Sequence, residues 1–200
     1  MFRKSWFAIW IAGASFIALP TYAQSEGPGK QDVAVQAMGS FVQKTTHDGV
    51  DYKATKSGGV LASYRYFFSK HHGVEANYGY MLNTQKYVSA LGVRGINTNN
   101  HEISGAYVFR MPMSRVTPFA LAGAAALVFD PKNYTGASNQ TRASFVYGAG
   151  ADVSLSRHLF VRAEYRGFVY NSPTYDLSGL AGMDRYAHRA TPSIGFGYTF

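Results

Sequence analysis

Cysteine is absent from this 200-residue chain, so no disulfide framework holds the fold and no thiol is available for catalysis or metal binding. Charged residues are also scarce, at 15% of the sequence. Beyond the N-terminal segment, no apolar run is long enough for a helix that spans a membrane. These shortages exclude a small disulfide-stapled domain, a thiol enzyme and a helical membrane protein.

The residues that are abundant point to a different class of protein. The chain has 15 Tyr, 14 Phe and 21 Gly, yet its mean hydropathy is close to neutral at −0.13. Many aromatic and glycine residues with little charge are typical of strands that interleave lipid-facing side chains with polar interior ones. The length and the lack of an internal boundary favour one domain.

The N-terminus is predicted to be a cleaved signal peptide. Arg3 and Lys4 form a basic start, an apolar core runs from Trp6 to Leu19, and Ala23 ends a small-residue cleavage site. A permanent anchor helix is the alternative, but the core is short for a membrane span. The predicted organisation is a signal peptide at residues 1–23, a flexible lead-in at 24–31 and a β-barrel domain at 32–200.

The stretch from Ser144 to Tyr170 carries the clearest pattern in the chain. Apolar residues recur at every second position on both sides of a short break at 156–158. A period of two across a tight turn predicts a β-hairpin. Arg162, Glu164 and Arg166 share one face of its second strand, which a soluble sheet with an apolar interior does not explain. A barrel with a polar interior and a lipid-facing exterior does explain it.

The rest of the sequence repeats this pattern and predicts an all-β fold, an eight-stranded antiparallel up-and-down transmembrane β-barrel. The predicted strands are 32–42, 58–68, 73–82, 100–110, 116–129, 144–155, 159–170 and 186–200. Long connections are predicted at 43–57, 83–99, 130–142 and 171–185, and they alternate with short ones. This alternation is typical of a bacterial outer-membrane barrel, with long external loops and short periplasmic turns.

The predicted lipid face carries an aromatic girdle near the short turns. Its members are Tyr66, Phe68, Tyr107, Phe109, Phe119, Phe196, Tyr198 and Phe200. The residues expected to point outward from the fifth and most apolar strand are Phe119, Leu121, Leu127 and Phe129. Pro118 and Pro192 cannot donate to a ladder, so we expect them at strand ends or bulges.

The predicted interior holds a polar network. Its charged members are Arg65, Glu75, Glu102, Asp152, Arg162, Glu164, Arg166 and Arg189. The interior of an eight-stranded barrel is just wide enough for side chains to fill it, so we expect these charges to compensate one another. A gated polar path for small solutes is the alternative.

The chain resembles the small outer-membrane β-barrel family that includes the outer membrane protein A transmembrane domain and the opacity-type surface proteins. The resemblance rests on the segments TPFALAGAAAL and YGAGADVSLSRHLFVRAEYR and on the ending SIGFGYTF. It implies an outer-membrane location and a last strand that is the signal for the barrel-assembly machinery. The residues of that signal are Ile194, Phe196, Tyr198 and Phe200. Because the chain stops at Phe200, we expect no wall-binding periplasmic domain.

No catalytic site is predicted. Outer-membrane lipid A deacylases carry a His and a Ser two positions apart on one strand, and this His-x-Ser pattern is missing here. Two positions after His101 the chain has Ile103 in place of a serine. Ser178, Asp184 and His188 are common residue types in and just after one loop, so they carry little weight as a triad.

No metal or cofactor is predicted either. His71 and His72 have only Glu75 as a nearby carboxylate and are expected to form a solvated turn.

The predicted function is therefore non-enzymatic, in envelope structure and in adhesion or interaction through the external loops. Expected partners are outer-membrane lipids, lipopolysaccharide phosphates that pair with basic loop residues, and an extracellular ligand or host surface. The location excludes nucleic acid. The alternatives are a lipid A-modifying enzyme, a barrel for the passage of small apolar molecules, and a soluble carrier of lipocalin type with the aromatic bands inside.

Overall fold

The computed structural model describes residues 30–42, 45–47, 50–54, 57–89, 92–132, 139–171 and 186–200. Its strands are β1 (Gln31–Val42), β2 (Thr45–His47), β3 (Val50–Ala54), β4 (Ser57–Phe67), β5 (His72–Ser89), β6 (Gly92–Arg110), β7 (Val116–Pro131), β8 (Gln140–Ser154), β9 (Leu159–Asn171) and β10 (Tyr186–Thr199). None of the described residues belongs to a helix long and apolar enough to cross a membrane. The predicted signal peptide and residues 24–29 of the lead-in lie outside this part of the chain.

Eight of the strands close into an antiparallel barrel. From β4 to β10 each strand pairs with the next, and β1 lies between β4 and β10, which closes the ring. The prediction of an all-β, eight-stranded, up-and-down barrel is therefore confirmed. Short turns join β4 to β5, β6 to β7 and β8 to β9 at the end where β1 begins and β10 ends. We call this the short-turn end, and the opposite end the long-loop end.

Two predicted loops contain regular structure at the long-loop end, so these two loop predictions are wrong. Residues 43–57 include β2 and β3, and residues 83–99 are almost wholly strand, because β5 and β6 stay paired up to Ser89 and Gly92. Strand β3 pairs with β5 in line beyond β4. Residues 45–47, 50–54, 84–89 and 92–97 thus form a small sheet, the arm, that continues past the barrel wall. Residues 133–138 and 172–185 of the other two predicted loops lie outside the described residues.

The outer face of the barrel carries large apolar side chains. Seven members of the predicted girdle are exposed there: Tyr66, Phe68, Tyr107, Phe109, Phe196, Tyr198 and Phe200. All seven lie in the half of the barrel toward the short-turn end, where amphipathic rings suit the boundary between lipid and water.

Strand β7 faces the opposite way from the prediction. Four large side chains that were expected to point outward are buried inside the barrel: Phe119, Leu121, Leu127 and Phe129. The pairing with β6 explains this orientation, because Phe119 lies opposite Arg110 and Leu121 lies opposite Val108. Directly opposed residues share a face, and Arg110 and Val108 are buried inside. Residues 118–129 are all apolar, so no polar–apolar alternation revealed the orientation.

The two prolines occupy different positions in the sheet. Pro118 lies close to the start of β7, as expected, whereas Pro192 lies well inside β10. Toward β9 the ladder is continuous, with Pro192 opposite Tyr165. Toward β1 it is interrupted, because the pairing passes from Met38–Ser193 to Phe41–Ala190 with no pair between them. A residue without an N–H explains this gap in the seam between the first and last strands.

Glycines make room for large interior rings. A Cβ atom on Gly197 would lie 2.1 Å from Cζ of Phe160, and one on Gly150 would lie 2.6 Å from Cζ of Phe119. Alternation of large and small residues on facing strands is how small barrels fill their interior. The aromatic side chains of β7 and β9 therefore depend on glycines in β8 and β10.

Replacing Gly197 with Val should destabilise the barrel, because the new side chain and the ring of Phe160 cannot share the same space. Overpacking of this kind costs about 1–3 kcal/mol. Urea unfolding in lipid vesicles measures the loss, with the mobility difference between unboiled and boiled samples as the readout. Gly105→Val is the matched control, because the nearest atom to its new Cβ, the backbone oxygen of Glu75, is 4.0 Å away. Equal stability of the two variants would contradict the packing argument.

Candidate functional site: an interior charge network

The structure places the eight charged residues predicted for the interior inside the barrel. Seven of them are buried: Arg65, Glu75, Glu102, Arg162, Glu164, Arg166 and Arg189. The eighth, Asp152, is partly buried, with 14% of its side chain exposed. They come from six different strands, so only closure of the barrel brings them together.

The part of the network nearer the short-turn end is built around two arginines. Arg162 Nη2 lies 3.0 Å from Asp32 Oδ1, and its Nε lies 2.7 Å from Asp152 Oδ1. Arg65 donates a hydrogen bond to Glu75. The same guanidinium lies 3.6 Å from Asp152 Oδ2. Each arginine therefore bridges acids that lie on different strands.

The part nearer the long-loop end is built around one carboxylate. Glu102 accepts hydrogen bonds from Arg166 Nη1 at 2.6 Å and from Arg189 Nη2 at 2.7 Å. Glu164 joins the two parts, because Arg65 Nη2 lies 3.6 Å from Glu164 Oε2 and Arg166 Nε lies 3.4 Å from Glu164 Oε1. The ion pairs thus form one connected chain along the barrel interior.

The sequence reasoning missed two charged members of the interior. Asp32 is buried and binds Arg162, and Arg110 is buried with its Nε 3.1 Å from the Lys70 carbonyl oxygen. Both stand at the end of a predicted strand, on the side opposite the outward apolar residues, so the alternation itself could have identified them. With them the connected network and its neighbours include five arginines and five acids, and Arg142, partly buried opposite Leu127 near the long-loop end, adds a sixth arginine to the described interior.

Neutral polar groups and aromatic rings complete the network. Arg162 Nη1 donates to Ser63 Oγ at 3.3 Å, and Arg166 Nη2 donates to Ser104 Oγ at 2.6 Å. The Arg65 guanidinium lies 3.9 Å from the ring centroid of Phe119, and that of Arg189 lies 4.3 Å from the centroid of Phe168. Cation–π contacts of this kind are strongest where the cation is desolvated.

An apolar cluster packs against the network. Toward the long-loop end it includes Leu127, Phe129, Val146, Phe168, Tyr170 and Ala187, all buried. Their side chains project from β7, β8, β9 and β10 into the same interior space. The charged groups and this cluster together fill the section of the barrel that they occupy.

Apart from His47 in β2, the described histidines lie on the outer face and in the turns. His101 Nδ1 lies 2.9 Å from the Tyr78 hydroxyl, and His188 Nε2 lies 2.8 Å from the Tyr147 hydroxyl. In the part of the chain that the structure describes, no serine hydroxyl is within hydrogen-bond distance of a histidine ring. Ser178 and Asp184, the other members of the sequence-level triad, lie outside the described residues.

Among the described residues, no group of three His, Asp or Glu side chains is placed to hold a metal ion.

The residues of the predicted C-terminal signal are all exposed on the outer face of β10 and at the end that follows it: Ile194, Phe196, Tyr198 and Phe200.

Comparison with known proteins gives a family and several similar folds. Residues 9–200 match the family model described as outer membrane protein beta-barrel domain. The outer membrane protein OprG of Pseudomonas aeruginosa is 16% identical, with a TM-score of 0.61 over 87% of this chain and 98% of that one. Neisserial surface protein A is 14% identical, with a TM-score of 0.63 over 88% and 100%.

A third similar structure holds a ligand. The attachment invasion locus protein Ail of Yersinia pestis, in complex with the heparin analogue sucrose octasulfate, is 19% identical, with a TM-score of 0.53 over 86% and 99% of the two chains. At these identities the structural matches show a shared fold. No curated protein matches the chain in sequence.

Replacing Arg162 with Met should destabilise the barrel strongly, because Asp32 and Asp152 would lose the guanidinium that they share. Removing one partner of a buried ion pair costs about 3–5 kcal/mol. Urea unfolding in lipid vesicles measures the change.

Lys132→Met is the control for this variant, since its ion pair with Asp130 is largely exposed and such pairs contribute at most about 1 kcal/mol. Adding Asp32→Asn and Asp152→Asn to Arg162→Met should restore part of the stability. If Arg162→Met and Lys132→Met lower stability equally, the network is not what stabilises the interior.

Proposed function

Because the chain belongs to the outer membrane protein β-barrel domain family, we propose that it is a non-enzymatic, filled barrel of the bacterial outer membrane. Its role is in envelope structure, and its long-loop end faces the exterior and makes contacts with surface ligands. The observation that carries the proposal is the connected ion network across the interior, packed against an apolar cluster.

The filled interior supports a structural role rather than transport. Each of the eight charges predicted for the interior has an opposite charge within ion-pair distance, so the network has no surplus of one sign that would select an ion. The charged residues of the interior project from seven of the eight barrel strands. The remaining strand, β7, contributes Phe119, whose ring contacts the Arg65 guanidinium. Opening a path would require several buried ion pairs to separate together, at a high cost.

The arm supports a role in surface contact. Lys53 of β3 and Lys86 of β5 occupy directly opposed positions in the ladder. Lysines pair with phosphate or sulfate oxygens through charge-assisted hydrogen bonds, so this part of the arm suits an anionic partner. Phosphates of lipopolysaccharide and sulfated glycans of a host surface are partners of this chemistry. The similar protein Ail was solved with a sulfated sugar, which agrees with such a partner.

Strand β10 supports a contact with the barrel-assembly machinery. Its outward residues Ile194, Phe196 and Tyr198 present a continuous apolar surface at the end of the chain, with Phe200 last. We assign this strand the role of the assembly signal, as the sequence predicts.

Passage of small apolar molecules is the second candidate function. It is favoured by one observation, the apolar cluster that includes Leu127, Phe129 and Phe168 at the long-loop end of the interior. The same side chains are at most 1% exposed, which favours a filled interior over passage.

Liposomes that contain the purified barrel should swell no faster in isotonic sugar solutions than protein-free liposomes, because side chains fill the interior. Planar-bilayer recordings should likewise show no stable openings. A large open porin in the same lipid provides the positive control. Rapid swelling or long-lived openings would contradict the filled barrel and favour a conducting one.

Replacing Lys53 and Lys86 together with Ala should weaken retention on an immobilised sulfated glycan, because two positive charges of the arm are removed. Elution at lower salt is the expected result, since fewer exposed charge pairs then hold the protein on the glycan and salt screens them more easily. The control is a Lys30→Ala and Lys70→Ala variant, which removes the same charge at the short-turn end. Equal elution shifts for both variants would show that only net charge matters.

A further inference from the structure

An open cavity of about 560 Å³ lies at the long-loop end of the barrel wall. It forms where β3 and β4 lie end to end against β5. The ladder to β4 ends at Gly59 opposite Met81, and the ladder to β3 begins at Ala54 opposite Gln85. Its volume is in the range of roughly 300–1,000 Å³ that small-molecule sites have.

The lining of this cavity is rich in amides and hydroxyls. It includes Asn83, Asn97, Asn99, Thr84, Thr98 and Ser57. Amide and hydroxyl groups both donate and accept hydrogen bonds, as the hydroxyls of a sugar do. Ser57 Oγ is buried and has no hydrogen-bond partner among the described residues. Leu82, which is 58% exposed, adds an apolar surface for the C–H face of a ring.

The charge of the cavity argues against an anion as its ligand. Among the described residues of the lining, Lys132 carries the one charge, and its Nζ lies 2.6 Å from Asp130 Oδ2. This ion pair leaves the described lining close to neutral. A neutral hydroxylated ligand therefore suits the cavity better than a phosphate or sulfate group.

The position of the cavity along the barrel axis indicates where such a ligand comes from. Leu82 and Asn99 are opposed two positions beyond the pair Tyr80 and His101, toward the long-loop end. His101 with Tyr78 and Tyr80 forms a group of polar-tipped rings on the outer face, with ring centroids 6.2 and 5.1 Å from His101. Rings of this kind mark the boundary between lipid and water. The cavity lies just outside that boundary.

We propose that this cavity binds a neutral saccharide, as a free sugar or as the core sugars of a neighbouring lipopolysaccharide. The inference deepens the proposed function and rests on its placement of the long-loop end outside the cell. It is separate from the anion contact assigned to the arm, because the described lining of the cavity is nearly neutral.

The test is a titration of the barrel in nanodiscs with dephosphorylated lipopolysaccharide core oligosaccharide, followed by calorimetry and by NMR of the asparagine side-chain amides. Saturable binding with shifts at Asn83, Asn97 and Asn99 is expected. Gly58→Phe should weaken it by about tenfold or more, because the ring takes up part of the site and a misfit of even one methylene changes affinity by about that factor. A Cβ on Gly58 contacts only the Met38 carbonyl oxygen, at 3.7 Å, so the variant is expected to fold.

Gly105→Phe makes the same substitution on the outer face away from the cavity and should bind like the unmodified protein. Binding of whole lipopolysaccharide at the same site assigns the lipid-borne source, and binding of the free oligosaccharide alone assigns a soluble sugar. No saturable binding, displacement by pyrophosphate, or equal affinity for Gly58→Phe would overturn the inference. Liposome swelling tests the filled barrel independently of saccharide binding. A failure of the proposed function can therefore be distinguished from a failure of the proposed saccharide site.

Discussion

Compensation of buried charge is the constraint on which the rest of this barrel depends. An arginine or a carboxylate inside a narrow closed wall costs several kcal/mol unless an opposite charge meets it with good geometry. Here the solution is distributed, since Arg65, Arg162, Arg166 and Arg189 each reach acids on other strands. The positions of the strands, the tilt of the barrel and the identity of the interior residues must therefore agree with one another.

Packing around the charges follows from the same constraint. Arginine stems and aromatic rings need space, and in an eight-stranded barrel that space comes from glycines on facing strands, as with Phe160 and Gly197. Because the interior is taken up by this packing, specific chemistry is left to the ends and the outer surface. Among the described residues, the arm and the cavity beside Leu82 are the features of the long-loop end that offer it.

The sequence predicts most of the fold because alternation with a period of two is strong wherever polar and apolar residues alternate. It identifies the interior face of β9 through Arg162, Glu164 and Arg166, and it places the aromatic outer face of β4, β6 and β10. It fails for β7, where both faces are apolar and only the register with β6 decides between them. It also fails for the arm, because the polar residues of 83–99 are typical of a loop, although their backbone pairing continues the ladder.

The sequence predicts which charged residues belong to the interior network, but it does not predict which of them form ion pairs with one another. Alternation assigns each charged residue to the interior, yet which arginine meets which acid depends on the stagger between strands, which the sequence does not state. No sequence pattern predicts the cavity, because its lining residues are far apart in the sequence. They come from β4, β5 and β6 and from the segment that follows β7.

The long separation in sequence between network partners has a consequence for how the barrel is made. Arg162 meets Asp32 across 130 positions, and Ser193 meets Gln36 across 157. No partial sheet can satisfy these contacts, since the first and last strands must already be neighbours. An incomplete sheet can pair Arg65 with Glu75 and Arg162 with Asp152 inside single hairpins, but the contacts between the first and last strands form only when the ring closes. A barrel of this design therefore acquires its full set of interior ion pairs only in the step that also seals its wall.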